Sequence, residues 1–135
     1  LVDPATADLY ILTKGDRNGS RLYVAYAPHS ATAATTLSYV TTLAFGSGAL
    51  SGSTLATGGD VHPDGSAVLV RTYNSVFQWQ RAPGTPLVSA FTSTPCKLAS
   101  PSETQGESIA FSRDGKRFFT LGEGNRQPLF YVSLE

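Results

Sequence analysis

The residues best suited to bind a ligand are two cations, a phenol and two carboxylates. They are Lys14, Arg71, Tyr73, Glu107 and Glu123. Cations beside carboxylates can hold an anionic or polar ligand, and paired carboxylates can ligate a cation or act as acid and base. The set contains no nucleophile held by a base, so it predicts a ligand-binding site and no catalytic residue.

Two other kinds of site are disfavoured. Asp60-Val-His62-Pro-Asp64 superficially resembles an oxygen-rich metal loop, but calcium needs about 6 to 8 oxygens and the remaining ligands of such a loop are missing. His62 has no partner at the spacing that zinc requires. No Gly-x-Ser-x-Gly sequence occurs, and Gly65-Ser66 has no credible His and Asp set around it. We predict no metal ligand and no cofactor, with calcium as the ion left open.

The candidate residues lie in a motif that occurs three times. Without gaps, Leu9 aligns with Val68 and Val68 with Phe118, and each copy reads as an apolar segment, a tight turn and a second apolar segment. Turns are predicted at 3–8, 62–66 and 112–116. Asp-Gly pairs in the last two supply the left-handed glycine that hairpin turns favour.

The alignment places Lys14, Tyr73 and Glu123 at one position, just after the second strand of each copy. Arg71 lies two residues earlier in its copy. Equivalent positions of stacked repeats share a surface, so we expect these side chains to converge. A structural interpretation competes with ligand binding: Arg71 or Lys14 pairs with Glu107 or Glu123 in a network between repeats.

Further β-type segments follow each turn motif. Third strands, rich in aromatic and β-branched residues, are predicted at 21–26, 75–80 and 128–133. Fourth strands are predicted at 37–45 and 87–91, and the third copy stops before its fourth strand. Connectors 46–59 and 93–104, rich in Ser, Thr, Gly and Pro, are predicted as loops. Gly106, before an apolar strand, indicates a bulge or a close backbone approach.

Four-stranded antiparallel sheets that return every ~40 to 50 residues are typical of β-propeller blades. We predict an all-β chain with a single domain, residues 1–135, made of about three blade-like units at 1–45, 55–92 and 105–135. The apolar runs Leu9–Leu12 and 68–70 fit inner strands covered on both faces. A β-sandwich is the alternative, although it needs no turn motif that returns in register.

The amino end begins inside a strand in this alignment, because Leu1 aligns with Ala110. Three repeats are also fewer than the about 4 to 8 blades of a closed ring. We therefore expect part of a larger propeller or a half that pairs with a second copy as a homodimer. An open array leaves apolar faces and strand edges uncovered.

Charge and hydropathy argue against two classes of partner. Ten Lys and Arg balance ten Asp and Glu, and the basic residues do not cluster, so nucleic acid is not expected as a partner. The apolar runs are far shorter than the roughly 20 residues that cross a bilayer, so no membrane partner is expected either.

Three stretches together suggest a family: LVDPATADLYILTK, TGGDVHPDGSAVLVRTY and QGESIAFSRDGKRFFTLGEG. They resemble a group of bacterial, exported β-propeller proteins of poorly defined function. More distantly, the chain is similar to propellers of the WD40, esterase-like and phytase-like kinds. The resemblance implies a secreted protein, extracellular or periplasmic.

The predicted function is a non-catalytic β-propeller module that binds a small-molecule or protein ligand, because the repeat scaffold presents no reacting set. The alternative is a calcium-assisted hydrolase of phosphoesters or other esters. In that case Glu107, Glu123, Lys14 and Arg71 would surround a metal and an anionic substrate.

Overall fold

The chain is all-β, as predicted, and the strands of its described residues pair antiparallel in three sheets. The computed structural model describes residues 1–15, 18–46 and 53–134. Sheet one contains, in order, β1 (Leu9–Leu12), β2 (Ser20–Ala25) and β3 (Ser38–Leu43). Sheet two contains, in order, β4 (Ala56–Val61), β5 (Ala67–Thr72), β6 (Val76–Gln80) and β7 (Cys96–Leu98). Sheet three contains, in order, β8 (Gly106–Phe111), β9 (Arg117–Gly122) and β10 (Phe130–Ser133).

Each copy of the sequence motif corresponds to one sheet. The residues that flank the first turn of each sheet pair at equivalent positions: Val2 with Leu9, Val61 with Val68, and Phe111 with Phe118. Because the ungapped alignment relates these pairs, the repeat seen in the sequence is also a repeat of strand register. A β-sandwich has two sheets, one fewer than the described residues form.

The fourth strand of the second copy does not lie where the sequence predicts it. Leu87–Thr92 forms a 3-10 helix, so the strand predicted at 87–91 is wrong. The fourth strand is β7, which lies inside the connector 93–104 that is predicted as a loop. That prediction is therefore wrong for the three residues of β7.

Hydroxyl side chains explain the helix. Ser89 Oγ donates to the Pro86 carbonyl at 2.7 Å, and Thr92 Oγ1 donates to the Ser89 carbonyl at 2.8 Å. Such local bonds compete with a strand ladder for the backbone. Leu87 and Ala90 are buried at the three-residue spacing of a 3-10 helix. In the described ranges, no helix is long and apolar enough to cross a membrane.

The glycines of β4 allow close packing between sheets two and three. The connector 46–59 is predicted as a loop, but 56–59 belong to β4; residues 47–52 lie outside the described ranges. A Cβ on Gly58 would stand 2.8 Å from the Glu107 carbonyl oxygen of β8. Glycine is needed here because two strands approach each other closely. The segment is predicted as a loop because glycine is also common in turns.

The strand β5 is buried along its whole length. Val68 and Val70 pack in an apolar cluster shared with sheet one, whereas Ala67 and Leu69 pack in a second cluster shared with sheet three. The prediction that 68–70 is covered on both faces is therefore confirmed.

The same prediction is wrong for β1. Leu9 is 37% exposed and Ile11 46% exposed, whereas Tyr10 between them is only 3% exposed. Sheet two covers the Tyr10 side of sheet one. No described part of the chain covers the other side.

Consecutive sheets are joined by main-chain hydrogen bonds at equivalent positions. The Ala56 N–H donates to the Lys14 carbonyl at 2.9 Å and joins sheet two to sheet one. The Gly106 N–H donates to the Tyr73 carbonyl at 3.0 Å and joins sheet three to sheet two. Because the alignment relates both donors and both acceptors, this hydrogen bond between consecutive sheets is repeated as well.

The two Asp-Gly turns contain the predicted left-handed glycine. The φ angles are +78° at Gly65 and +71° at Gly115. In the first turn, Asp64 Oδ1 accepts the Ser66 N–H at 2.8 Å, and Asp114 closes its own turn in the same way. These turns fix the register of the two hairpins, in which they join β4 to β5 and β8 to β9.

Gly115→Ala is expected to lower the free energy of unfolding by about 1–3 kcal/mol more than Gly84→Ala does. The φ angles nearly match, +71° and +72°, so both variants carry the same left-handed strain. A Cβ at 115 would lie 2.0 Å from His62 Nε2, while a Cβ at 84 would meet nothing within 4 Å. Urea unfolding of Gly115→Ala and Gly84→Ala measures the difference. Equal losses would show that the His62 ring moves aside at no cost.

Candidate functional site

Side chains from all three sheets lie near one another where β1, β5 and β9 end. Lys14 follows β1, Tyr73 follows β5, and Glu123 follows β9. Glu107 projects from β8 near the same end. The surface formed by Lys14, Tyr73, Glu107 and Glu123 is called here the exit surface.

Lys14 contacts Tyr73 and so joins sheets one and two on this surface, while the charges of Glu107 and Glu123 from sheet three act on it from a greater distance. Its ammonium donates a hydrogen bond to the Tyr73 hydroxyl and lies 4.7 Å from the centre of the Tyr73 ring. That hydrogen bond raises the pKa of Lys14, and the charges of Glu107 and Glu123 raise it further. Lys14 is exposed, so these contacts stabilise the fold little and leave the ammonium accessible to a ligand.

Arg71 is not part of the exit surface. It is 1% exposed and lies between sheets two and three. Its Nη1 stands 2.9 Å from Glu103 Oε2 and donates to the Ser108 carbonyl at 3.1 Å. Its Nε donates to the Thr72 carbonyl at 3.2 Å. A guanidinium with these contacts holds two sheets together and does not reach a ligand on the surface.

Glu103 is an important residue that the sequence pattern does not predict. Its side chain is 3% exposed, and its Oε1 has no hydrogen-bond partner among the described residues. The network predicted for Arg71 exists between repeats, but its carboxylate is Glu103 and not Glu107 or Glu123. Glu103 lies in the connector 93–104, outside the repeated motif, so the alignment carries no signal for it.

Gly106 shows both predicted features, a bulge and a close backbone approach. The pairing of β8 with β9 shifts register between Gly106 and Ser108, which leaves Glu107 in a bulge. A Cβ on Gly106 would lie 1.3 Å from Arg71 Nη2. The guanidinium therefore packs directly on the backbone of β8, where no side chain has room.

A cleft of about 290 Å³ adjoins the exit surface at Tyr73. A phenol, an amide and hydroxyl groups give it hydrogen-bonding donors and acceptors. The lining residues are Tyr73, Asn74, Ser100, Pro101, Ser102 and Glu103. Its size is close to the roughly 300 Å³ at which small-molecule sites begin.

His62 lies near both an aspartate and a serine, but the geometry is not that of a catalytic triad. His62 Nδ1 is 2.5 Å from Asp64 Oδ1 and 3.4 Å from Ser66 Oγ, and Nε2 is 3.2 Å from the Gly115 carbonyl oxygen. A triad needs the serine and the aspartate on different ring nitrogens. Hydrogen bonds from Ser66, reinforced by His62, lower the pKa of Asp64 to about 2. The group closes a turn and contacts sheet three.

The carboxylate of Asp60 is also used structurally. Its Oδ2 accepts the Phe111 N–H at 2.8 Å, and its Oδ1 accepts the Val61 N–H at 2.9 Å. Within residues 1–15, 18–46 and 53–134, no three His, Cys, Asp or Glu side chains are grouped so that they could hold a metal ion.

No protein-family model and no curated protein matches the sequence of this chain.

Proposed function

We propose that this chain is a β-propeller-type module, without catalytic activity, whose exit surface binds a polar ligand. One observation carries the proposal: Lys14 of sheet one donates a hydrogen bond to Tyr73 of sheet two, and the charges of Glu107 and Glu123 from sheet three act on the same ammonium. Stacked blades bring equivalent strand ends onto one surface, and such surfaces are where propellers commonly recognise ligands.

The stacking of the sheets supports the propeller part of the proposal. Sheet two is packed on both faces by its neighbours, and the hydrogen bonds that join consecutive sheets are equivalent. The first strands β4 and β8 approach each other closely at Gly58, as inner strands of adjacent blades do. The resemblance to exported bacterial propellers, with its extracellular or periplasmic location, stays a prediction.

Charges of both signs define the ligand chemistry. The exposed ammonium of Lys14 suits a carboxylate, and Glu107 and Glu123 suit a cation such as an ammonium group. The cleft beside Tyr73 offers hydrogen bonds to the uncharged part of such a molecule. A zwitterion meets these requirements, either as a small molecule or as a charged segment of a protein partner.

Nuclear magnetic resonance of the ¹⁵N-labelled chain tests this directly. Triglycine, a zwitterion, is expected to shift the amide signals around Lys14, Tyr73, Glu107 and Glu123 with roughly millimolar affinity. Triglycine capped at both ends has the same backbone without charges and is expected to shift them much less. No shift with triglycine, or shifts scattered over the molecule, would contradict the proposal.

Two lysine variants sharpen the test. Lys14→Gln removes the ammonium from the exit surface and is expected to weaken triglycine binding at least tenfold. Lys97→Gln removes an exposed lysine of β7 and is expected to leave binding unchanged. Equal affinity of both variants would place the binding elsewhere.

Calcium separates this proposal from the hydrolase alternative. An ion that binds only the folded chain raises the melting temperature as its concentration passes the dissociation constant. The proposed module is expected to show no such rise in millimolar calcium. A rise that Glu107→Gln abolishes would favour the hydrolase.

A further inference from the structure

Two apolar sheet faces at opposite ends of the stack are uncovered by any described residue. On sheet one, Ile11 pairs with Tyr23 and Tyr23 with Tyr39, so these three side chains share a face. Ile11 is 46% exposed and Tyr39 58% exposed. This surface, together with Leu9, is called the leading face.

The second uncovered surface belongs to sheet three. Phe119 pairs with Tyr131, and Leu121 lies two residues along the same strand, so all three side chains point to one side. Tyr131 is 63% exposed and Leu121 37% exposed. This surface is called the trailing face.

Sheet two shows what covers such faces inside the molecule. On its leading face, Val68 and Val70 are each 0% exposed and pack toward sheet one. Its trailing face, at Leu69, is 0% exposed and packs toward sheet three. In every internal contact, therefore, a trailing face of one sheet covers a leading face of the next.

We propose that a second copy of this chain covers both surfaces. The trailing face of each copy packs on the leading face of the other, and two such contacts close a ring of six sheets. The inference rests on the propeller-type stacking proposed above. A second copy fits because each copy presents one face of each kind, with equivalents of the residues that already pack together inside the chain.

Closure distinguishes this assembly from an open array. A contact between two different surfaces forms a ring if its rotation closes and a filament if it does not. Six blades fall within the about 4 to 8 of known propellers. Closure also removes two exposed apolar patches of a kind that commonly mark interaction surfaces.

Light scattering coupled to size exclusion tests the assembly across concentrations from micromolar to near-millimolar. The native chain is expected to show twice the monomer mass of 14.2 kDa. Ile11→Lys on the leading face and Leu121→Lys on the trailing face are each expected to weaken the dimer at least tenfold. Circular dichroism and thermal melts confirm that both variants fold.

A matched pair of tyrosines gives the control. Tyr131 on the trailing face is 63% exposed, and Tyr26, beyond the end of β2, is 60% exposed. Tyr131→Lys is expected to produce monomer at concentrations where Tyr26→Lys remains dimeric. Equal behaviour of the two variants would overturn the assignment of the interface.

Mixing the two single variants identifies the contact as one between different faces. The Ile11→Lys copy keeps an intact trailing face, and the Leu121→Lys copy keeps an intact leading face. The mixture is therefore expected to form a pair through one undamaged contact, although each variant alone is monomeric. A monomeric native chain, a mass that keeps growing with concentration, or a mixture that stays monomeric would overturn the proposal. Triglycine binding is measured separately, so the two proposals can fail independently.

Discussion

Arg71→Leu is expected to lower the free energy of unfolding by about 3–5 kcal/mol, because it leaves the carboxylate of Glu103 buried without its counter-charge. The same change removes the donors that serve the Ser108 and Thr72 carbonyls. Urea unfolding followed by the fluorescence of Trp79, which is 2% exposed, measures the loss.

A double variant separates two causes of this loss of stability, the unpaired buried charge and the changed packing. The alignment places Leu12 and Leu121 at the position of Arg71 in the other sheets, so leucine is compatible with this register. Arg71→Leu combined with Glu103→Leu removes both charges and is expected to recover most of the stability. A double variant as unstable as Arg71→Leu alone would show that packing, and not the unpaired carboxylate, causes the loss.

Gly106→Ala is expected to cost about 3 kcal/mol, because the new methyl group would overlap Arg71 Nη2 and expel the guanidinium from Glu103. The backbone itself accepts a Cβ at this point. Ala56 occupies the equivalent position at the junction of sheets one and two, where Leu12 stands in place of Arg71. The need for glycine at 106 therefore comes from the arginine.

A double-mutant cycle tests that statement. In the Arg71→Leu and Glu103→Leu background, Gly106→Ala is expected to cost less than about 1 kcal/mol, so the single losses do not add. Full additivity would mean that Gly106 is required by its own backbone. The melting temperature and the urea midpoint of all variants are compared under one set of conditions.

The sequence predicts the sheets well because their signals are local. Asp-Gly turns with a left-handed glycine and apolar segments in ungapped register suffice to locate β5, β8, β9 and the end of β4 next to its turn. Prediction fails for two reasons: a distant contact decides at Gly58, and local side-chain hydrogen bonds decide in the 3-10 helix. Gly58 is a strand residue because β8 approaches it, and the helix Leu87–Thr92 depends on hydroxyls that bond to its own turn.

The candidate site also contains some residues that the sequence predicts correctly and others that it does not. Register places Lys14, Tyr73 and Glu123 on one surface, since strand ends of successive repeats are equivalent. Register is not sufficient for Arg71, which stands two residues earlier and is buried between sheets. Its partner Glu103 comes from a connector without a repeat, and three-dimensional packing alone brings the two together.

The residues that join consecutive sheets use different atoms for the fold and for the exit surface. Lys14 and Tyr73 accept the hydrogen bonds between sheets through their main-chain carbonyls, which every amino acid possesses, while their side chains extend onto the exit surface. Random substitution at 14, 73 and 123 is therefore a route to a library of new binding specificities on an unchanged scaffold. Each repeat contributes one variable position to that library.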